Sequence, residues 1–446
     1  MALSGIQIYK LLPQTNCKEC GFPTCLAFSM KLAAKQVELS TCPYVSEESK
    51  AQLAESAAPP IRLVTLKANG YEVKAGNEVV MFRHEKTFYN KPGLFVRVGD
   101  DQPLDAIKAK VKAACDYQVG YVGMDLMLDG IAVEAVSGDA ATFSAAVSAA
   151  RETAHHPLIL ISHDPKIMDA GLQAIDGEHP MICSADSTNW EGMSDLASQH
   201  GTPLAVTAET IDALAELTEK IRARGVEDLV LDPGGRGLAI TLTQATQIRR
   251  LALKKNLRAL GYPTIAFPCD APDPARESLL AVNAIAKYAG FIVLDTATPE
   301  AIYPLLVLRE NIYTDPQKPI QVQPGLYEIN NPNSESPVLA TTNFSITYFS
   351  VANEVEAAGL PAWLLVTDAE GMSVLTAWAA GKFDAERIAK AVKQFGVAEK
   401  VTHKRIVLPG HVAVLSGELE GELPGWEVKV GPREAVDLPS FMKQAL

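Results

Sequence analysis

The sequence predicts an α/β protein in three parts: a small cysteine-bearing N-terminal unit (1–57), a central (β/α)8 TIM barrel (58–325) and a C-terminal Rossmann-like open αβ domain (326–446). Three observations carry this. Four of the seven cysteines lie before position 43. From Leu94 onward, short apolar runs alternate with helical stretches, the signature of parallel strands buried on both faces. The last 121 residues repeat that alternation but are too few for a second barrel.

Composition sets outer limits. A chain of 446 residues that is 48% hydrophobic and 21% charged buries ordinary cores, which excludes disorder and a disulfide-stapled mini-protein. A net charge of −13 argues against nucleic acid and anionic membranes as partners. Met1–Leu12 lacks a basic start before an apolar core, and no uncharged apolar run reaches ~18 residues. The expectation is a cytoplasmic protein without a membrane span.

The first unit is organised around Cys17-x2-Cys20-x4-Cys25-x16-Cys42. Three thiolates so close in sequence can clasp one small object, and a fourth closes it. Gly21 and Pro23 supply turn geometry between ligands. A helix over all of Leu26–Leu39 would carry Cys42 too far away, so the helix is expected to stop near Ala34–Gln36 and the chain to fold back. The spacing, ending in Cys-Pro, favours a 4Fe-4S cluster over zinc, which prefers two separated Cys pairs. Disulfides do not suit a chain without an export signal. Cys115, Cys183 and Cys269 read as small core residues.

Glu47–Pro60 reads as a linker, rich in Ala, Glu and Ser and closed by two prolines. Ile61–Tyr89 alternates like strands, with turns at Asn69-Gly70 and Gly76-Asn77 and a third strand expected over Glu78–Arg83. Eight apolar runs follow, at 94–98, 131–135, 158–161, 181–184, 204–206, 229–231, 264–267 and 291–294. Helical segments such as 103–115, 140–151, 210–224, 243–257 and 274–288 separate them. The count of eight and the regular spacing favour a closed barrel over an open sheet. Arg309–Pro337, rich in Pro, Asn and Gln, reads as the second boundary. Strands are then expected at 338–340, 363–366, 405–408 and 427–430, and helices at 344–358, 373–380, 384–395 and 439–444.

Two regions are candidate sites besides the cysteines. The ends of the barrel strands offer Asp100, Glu134, Asp164, Asp186, Asn189, Asp232, Asp270 and Asp295. These could hold a pterin ring, but Asp and Gly are also ordinary cap and turn residues there, which is the favoured reading. His155, His156 and His163 lack a matching third ligand and read as loop histidines. In the last domain, three turns stand where open αβ sheets hold ligands: Ala340–Asn343, Asp368–Ser373 and Gly431–Val436, with Ala340, Gly431 and Pro432 among their candidates. Pro409-Gly410-His411 approaches the same edge. Neither a GxGxxG after the first strand nor a P-loop is present.

Taken together, the three parts resemble the large (gamma) subunit of the corrinoid iron-sulfur proteins of the anaerobic acetyl-CoA pathway. The cysteine pattern alone is shared with cluster-bearing subunits of Rnf-type complexes; the order of all three domains makes the resemblance specific. It implies a 4Fe-4S cluster on Cys17, Cys20, Cys25 and Cys42. It also implies a corrinoid (cobalamin) held by Thr341, Thr342, Ile346, Glu370, Gly371, Met372, Ser373 and Val436, beside the turn residues above. No Asp-x-His-x-x-Gly occurs, so cobalt is expected base-off and without a protein His ligand. The implied function is a methyl carrier, not a stand-alone catalyst. It accepts the methyl of methyltetrahydrofolate on Co(I) from a methyltransferase, delivers it to acetyl-CoA synthase/carbon monoxide dehydrogenase, and uses the cluster to reactivate Co(II). The implied partners also include a small barrel subunit, forming a heterodimer, and a reductive activator. The competing readings are a pterin-dependent methyltransferase barrel, an electron-transfer iron-sulfur protein without corrinoid, and a structural scaffold.

Overall fold

The computed structural model describes residues 4–34, 36–50, 53, 59–121, 123–314 and 321–445. Its contacts divide the chain into two compact units: one of residues 1–82, 88–117 and 128–312, the other of 83–87, 118–127 and 313–446.

The first unit contains an eight-stranded parallel sheet. Its strands, within a numbering that runs through the chain, are β3 (Gly93–Gly99), β6 (Gly130–Glu134), β7 (Leu158–Ile161), β8 (Met181–Ala185), β9 (Leu204–Thr207), β10 (Leu229–Asp232), β11 (Ile265–Ala266) and β12 (Phe291–Leu294). The order β10-β9-β8-β7-β6-β3-β12-β11 leaves β10 and β11 as edges, and a parallel bridge from Leu231 to Thr264 nearly closes them. The result is a nearly closed eight-stranded barrel, as the sequence predicts. A helix follows every strand, including Pro165–Gln173, Trp190–His200 and Pro299–Ile312. Several helices begin at a sequence-legible cap. Asp164 and Asp273 each accept from a backbone N–H of the first turn and are followed by proline, whose missing N–H costs nothing there.

A hairpin of β1 (Val64–Ala68) and β2 (Tyr71–Ala75) precedes the barrel. Val64, Leu66, Val73 and Ala75 join Phe95, Ile159, Met181, Val230 and Phe291 in the barrel's inner core. Glycine lets the hairpin come this close. A Cβ on Gly93 would lie 2.7 Å from Val73 Cγ1, and one on Gly290 2.6 Å from Ala75 Cβ. The third strand expected at Glu78–Arg83 is not formed. Arg249 takes the carbonyls of Met81 and Val80, each at 2.7 Å, and pairs with Glu78, so these acceptors serve a guanidinium and not a ladder. Arg249 is itself packed against the rings of Tyr288 and Phe88.

The cysteine-bearing segment has its own small core of Ile8, Leu12, Cys25, Phe28, Cys42, Val45 and Leu53. Its second helix, Cys25–Ala33, stops early and a short 3-10 turn, Leu39–Thr41, returns the chain to Cys42, as the cysteine spacing requires. Half of the expected linker at 47–60 lies outside the described residues.

The second unit is built on a five-stranded sheet, β13 (Gly325–Ile329), β14 (Val338–Thr342), β15 (Ala362–Thr367), β16 (Arg405–Leu408) and β17 (Glu427–Val430), in the order β13-β15-β14-β16-β17. β13 is antiparallel to β15 and the others are parallel. Alternate residues of each strand feed two cores: Val338, Trp363, Leu365, Ile406 and Leu408 on one face, Leu339, Leu364, Val366 and Val407 on the other. The described part of 309–337 holds more regular structure than its composition suggests. The helix Pro299–Ile312 runs through Arg309, and β13 lies inside the stretch; residues 315–320 are outside the described set. A second hairpin, β4 (Gln118–Tyr121) and β5 (Met124–Met127), belongs to this unit and packs Tyr121 and Met124 beside Tyr327 and Tyr348.

Among the described residues no helix is long and apolar enough to cross a membrane.

Candidate functional site

In the C-terminal sheet the chain moves outward in one direction from β14 to β15 and then crosses back to β16 on the other side. Such a reversal leaves a crevice at the carboxyl ends of the strands. Here the crevice is widened by early loss of pairing. β14 and β16 share only Val338↔Ile406 and Leu339↔Val407, so beyond Leu339 the two strands are unpaired. A cavity of about 570 Å³ opens at that point. Its floor is Leu339, Ala340 and Thr341 with Val407 and Leu408; its walls come from the helix Ser345–Ala357, the start of the helix Val374–Ala379, the Pro409–His411 turn and the Gly431–Val436 turn.

Of the positions singled out from sequence, Ala340, Thr341, Ile346, Ser373, Gly431, Pro432 and Val436 line this cavity. Ile346 and Val436 are each 65% exposed, far more than packed aliphatic residues, so a bound molecule is the natural cover for them. Thr342, Glu370, Gly371 and Met372 do not line it. Thr342 is fully buried. Gly371 (φ +73°) and Glu370 (φ +53°) form a left-handed turn whose amides face inward: Asn343 Oδ1 accepts from Ala369 N–H at 2.9 Å and Gly371 N–H at 3.0 Å. The Glu370 carboxylate pairs with Lys382 at 2.6 Å, and Met372 packs against one core of the sheet.

Sequence reading missed Ser350, Asn353 and Glu354, which also line the cavity. They follow Ile346 one and two turns along the same helix, so the i, i+4 rule applied to Ile346 finds them. His411 stands on one wall with its Nε2 4.0 Å from Glu434 Oε1. It is the only histidine among the described residues lining the cavity.

The cysteines are all free. Cys25 and Cys42 are buried, Cys20 is half-buried and Cys17 exposed. Asn16 (φ +50°), Lys18 (φ +65°) and Gly21 (φ +78°) bend the loop, and Asn16 Oδ1 accepts from Cys25 N–H at 2.8 Å, which fixes the start of the helix that carries Cys25. Tyr44 donates to Glu19 at 2.8 Å. Its acidity is reduced by that bond and by the charge of Glu19. Among the described residues no three Cys, His, Asp or Glu side chains already converge to hold a single ion. An all-thiol set, two members buried in one apolar core and two at a bent loop, is the donor type that iron-sulfur clusters take.

The barrel mouth is arranged differently. Arg97 reaches Asp295 (2.9 and 3.0 Å), Asp270 (3.0 Å), Glu134 (3.0 Å) and the Cys269 carbonyl (3.1 Å). Burial opposes the Arg97 charge, but the Asp295 hydrogen bond and the surrounding acidic groups outweigh it and hold the guanidinium charged. Arg236 clamps Asp232 and Asp270 at 2.8 Å. Asp100 accepts from the Val136 and Ser137 amides, Asp164 caps a helix, and Asp186 accepts from Thr188 and Asn189. His156 is buried and stacks on Tyr71, with ring centres 4.1 Å apart, whereas His163 is exposed. Burial raises the pKa of the Cys183 and Cys269 thiols, which keeps both neutral. Each acid named from sequence is thus spent on an arginine or on the backbone.

A family described as "CO dehydrogenase/acetyl-CoA synthase delta subunit" matches residues 63–442, and one described as "Putative Fe-S cluster" matches residues 12–44. The corrinoid/iron-sulfur protein large subunit of Moorella thermoacetica is 45% identical over the full length of both chains. The acetyl-CoA decarbonylase/synthase complex subunit gamma of Methanopyrus kandleri is 37% identical over 99% of this chain and 98% of that one. Among solved structures, dihydropteroate synthase from Thermus thermophilus matches 56% of this chain and 99% of its own, at 16% identity and a TM-score of 0.39. The delta-subunit family leaves out the cysteine segment, whereas the large and gamma subunits match across it. The chain therefore belongs to the family of corrinoid/iron-sulfur protein large subunits, the gamma subunits of the acetyl-CoA decarbonylase/synthase complexes.

Proposed function

We propose that the chain is a corrinoid methyl carrier with a 4Fe-4S cluster on Cys17, Cys20, Cys25 and Cys42, organised as cluster domain (1–57), barrel (58–325) and corrinoid domain (326–446). The observation that carries the reading is the 570 Å³ cavity where β14 and β16 part, lined by exposed aliphatic residues, in a chain of this family. When bound, the corrinoid supplies a cobalt nucleophile for the methyl group and the cluster supplies low-potential electrons to restore it. The chain's residues seat and orient. Ile346 and Val436 cover an apolar macrocycle, and the Asn343-pinned turn stiffens the loop before Ser373. No Asp-x-His-x-x-Gly motif is present, and His411 faces Glu434, which supports a base-off corrinoid without a protein His ligand.

The partners proposed are a small barrel subunit, a methyltetrahydrofolate:corrinoid methyltransferase, acetyl-CoA synthase/carbon monoxide dehydrogenase and a reductive activator. The names of the relatives, "large subunit" and "complex subunit gamma", support a multi-subunit setting. The engaged carboxylates of the barrel mouth argue against the barrel as the methyl-transferring enzyme.

Anaerobic purification with the small subunit tests the reading. About four irons and one cobalt per chain are expected; zinc in place of iron, or no cobalt, overturns it. Cys20→Ala is expected to spare methyl transfer from reduced corrinoid and to abolish reductive reactivation. A variant that reactivates at the wild-type rate removes the cluster from the electron route.

A further inference from the structure

The helix Ser345–Ala357 forms one wall of the C-terminal cavity, and its start is poorly secured by its own sequence. Phe344 stands at the N-cap and offers no side-chain acceptor, and the first turn carries no acidic residue. Yet this turn carries Ile346 and Thr347, which line the cavity. A helix start without a cap depends on packing to stay formed.

The packing comes from the opposite face. Tyr348, Ala352 and Val355 repeat at helical spacing and belong with a core that also holds Leu339 and Val407 of the cavity floor. The Tyr348 ring meets Tyr327 of β13 edge-on, with ring centres 5.2 Å apart. The Tyr327 hydroxyl donates to the Gln323 carbonyl at 2.7 Å and lies against Gly123 of the β4–β5 hairpin. A Cβ on Gly123 would come within 2.5 Å of that hydroxyl and 2.8 Å of Gln323 Cβ. Tyr121 and Met124, on either side of the turn, pack against the same core. A line of contacts therefore runs from the hairpin through Tyr327 and Tyr348 to the uncapped turn. The origin of the hairpin is unexpected. It is inserted between the helix Leu104–Asp116 and strand β6, and the chain on both sides of it belongs to the barrel-bearing unit. None of its described residues lines the cavity.

We propose that the β4–β5 hairpin braces the cavity wall: through Tyr327 and Tyr348 it holds the first turn of the helix Ser345–Ala357 where Ile346 meets the ligand. Met124, Tyr327 and Tyr348 are positioning residues, since none of them lines the cavity. The link to the ligand rests on the corrinoid reading above. Coupling free energy is reciprocal, so a brace that tightens binding is itself tightened by binding. A segment encoded within the barrel then responds to the filling of the C-terminal cavity.

The test uses the full chain as wild type, Met124→Ala and Ile388→Val. Ile388 is buried in the core on the other face of the sheet and does not line the cavity, so its variant reports plain loss of stability in the same unit. Amide hydrogen exchange is followed first without ligand. Met124→Ala is expected to speed exchange at Tyr348 and in the turn after it, and Ile388→Val to leave these amides near wild type. Equal exchange there in wild type and Met124→Ala overturns the brace, whatever the ligand is. Cobalamin is then added. In wild type it is expected to slow exchange in Gln118–Tyr121 and Met124–Met127 while the β1–β2 hairpin stays unchanged. Unchanged exchange in β4–β5, or equal slowing in both hairpins, overturns the response to filling. Met124→Ala is expected to weaken cobalamin roughly two- to thirtyfold, and Ile388→Val to bind like wild type. Unchanged affinity in Met124→Ala, or equal weakening in both variants, overturns the coupling. Failure of the wild-type chain to bind cobalamin is a different result: it removes the corrinoid reading and leaves the ligand-free comparison to decide the brace.

Discussion

At the scale of single residues, the barrel mouth shows how far charge alone misleads. From sequence, Glu134, Asp232, Asp270 and Asp295 form a row of acids at strand ends, where barrel enzymes keep their chemistry. What the sequence hides is that Arg97, on the first barrel strand, reaches acids on the strands and loops around it. Burial pushes the Glu134 carboxyl up against the opposing pull of Arg97, and Asp270 and Asp295 add to the rise. A carboxyl with a raised folded pKa binds its proton more readily in the native state. Its stabilising effect is complete below the unfolded value and is lost as pH rises through the folded one. Unfolding free energies of wild type and Glu134→Gln, taken across the acidic range up to neutrality, are therefore expected to diverge in favour of the variant as pH rises. A constant difference would show that Glu134 does not titrate in that window. Arg97→Met leaves partly buried acids unpaired and is expected to cost about 1–3 kcal/mol, reduced from a fully buried pair by the exposure of its partners. Denaturant unfolding reads this directly.

At the scale of elements, the periodic apolar runs were legible because each barrel strand is buried on both faces: β7, β8, β10 and β12 have no exposed residue. Elements held by a specific side chain were not. Glu78–Arg83 alternates like a strand, yet Arg249, some 170 positions away in sequence, captures its carbonyls. The helix Pro299–Ile312 contains Pro304, and β13 sits in a Pro- and Asn-rich stretch; both run against local propensity and are held by tertiary contacts. The candidate site divides in the same way. The three turns were visible as Gly-, Pro- and Asn-rich strand ends, but which of their residues face the cavity depends on where β14 and β16 separate, and no local pattern encodes that. The β1–β2 hairpin offers an element-level test. Gly290→Ala sets a methyl 2.6 Å from Ala75 Cβ and 2.9 Å from Pro263 Cβ. The hairpin must shift, at an expected cost of about 1–3 kcal/mol, seen as a lowered denaturation midpoint with an unchanged slope.

At the scale of the whole molecule, the proposed division of labour has a thermodynamic signature. The cavity is lined only by residues of the unit that comprises 83–87, 118–127 and 313–446. That unit owns its cores on both faces of the sheet, and the barrel core of the other unit shares no residue with them. Chains with separate cores need not unfold in one step. A ligand that binds only the folded form of one unit raises the stability of that unit by RT ln(1 + [L]/Kd), about 2.7 kcal/mol at a hundredfold excess over Kd. Calorimetry of the corrinoid-free chain is therefore expected to resolve two transitions, of which cobalamin moves one. Gly123→Ala identifies it. Gly123 has φ +81°, and a Cβ there would lie 2.5 Å from the Tyr327 hydroxyl, so the substitution strains the β4–β5 hairpin within the cavity-bearing unit. The transition that this variant lowers must be the one that cobalamin raises. If cobalamin moves the other transition, or both equally, the binding site is not confined to the C-terminal sheet, and the barrel regains a claim to the ligand.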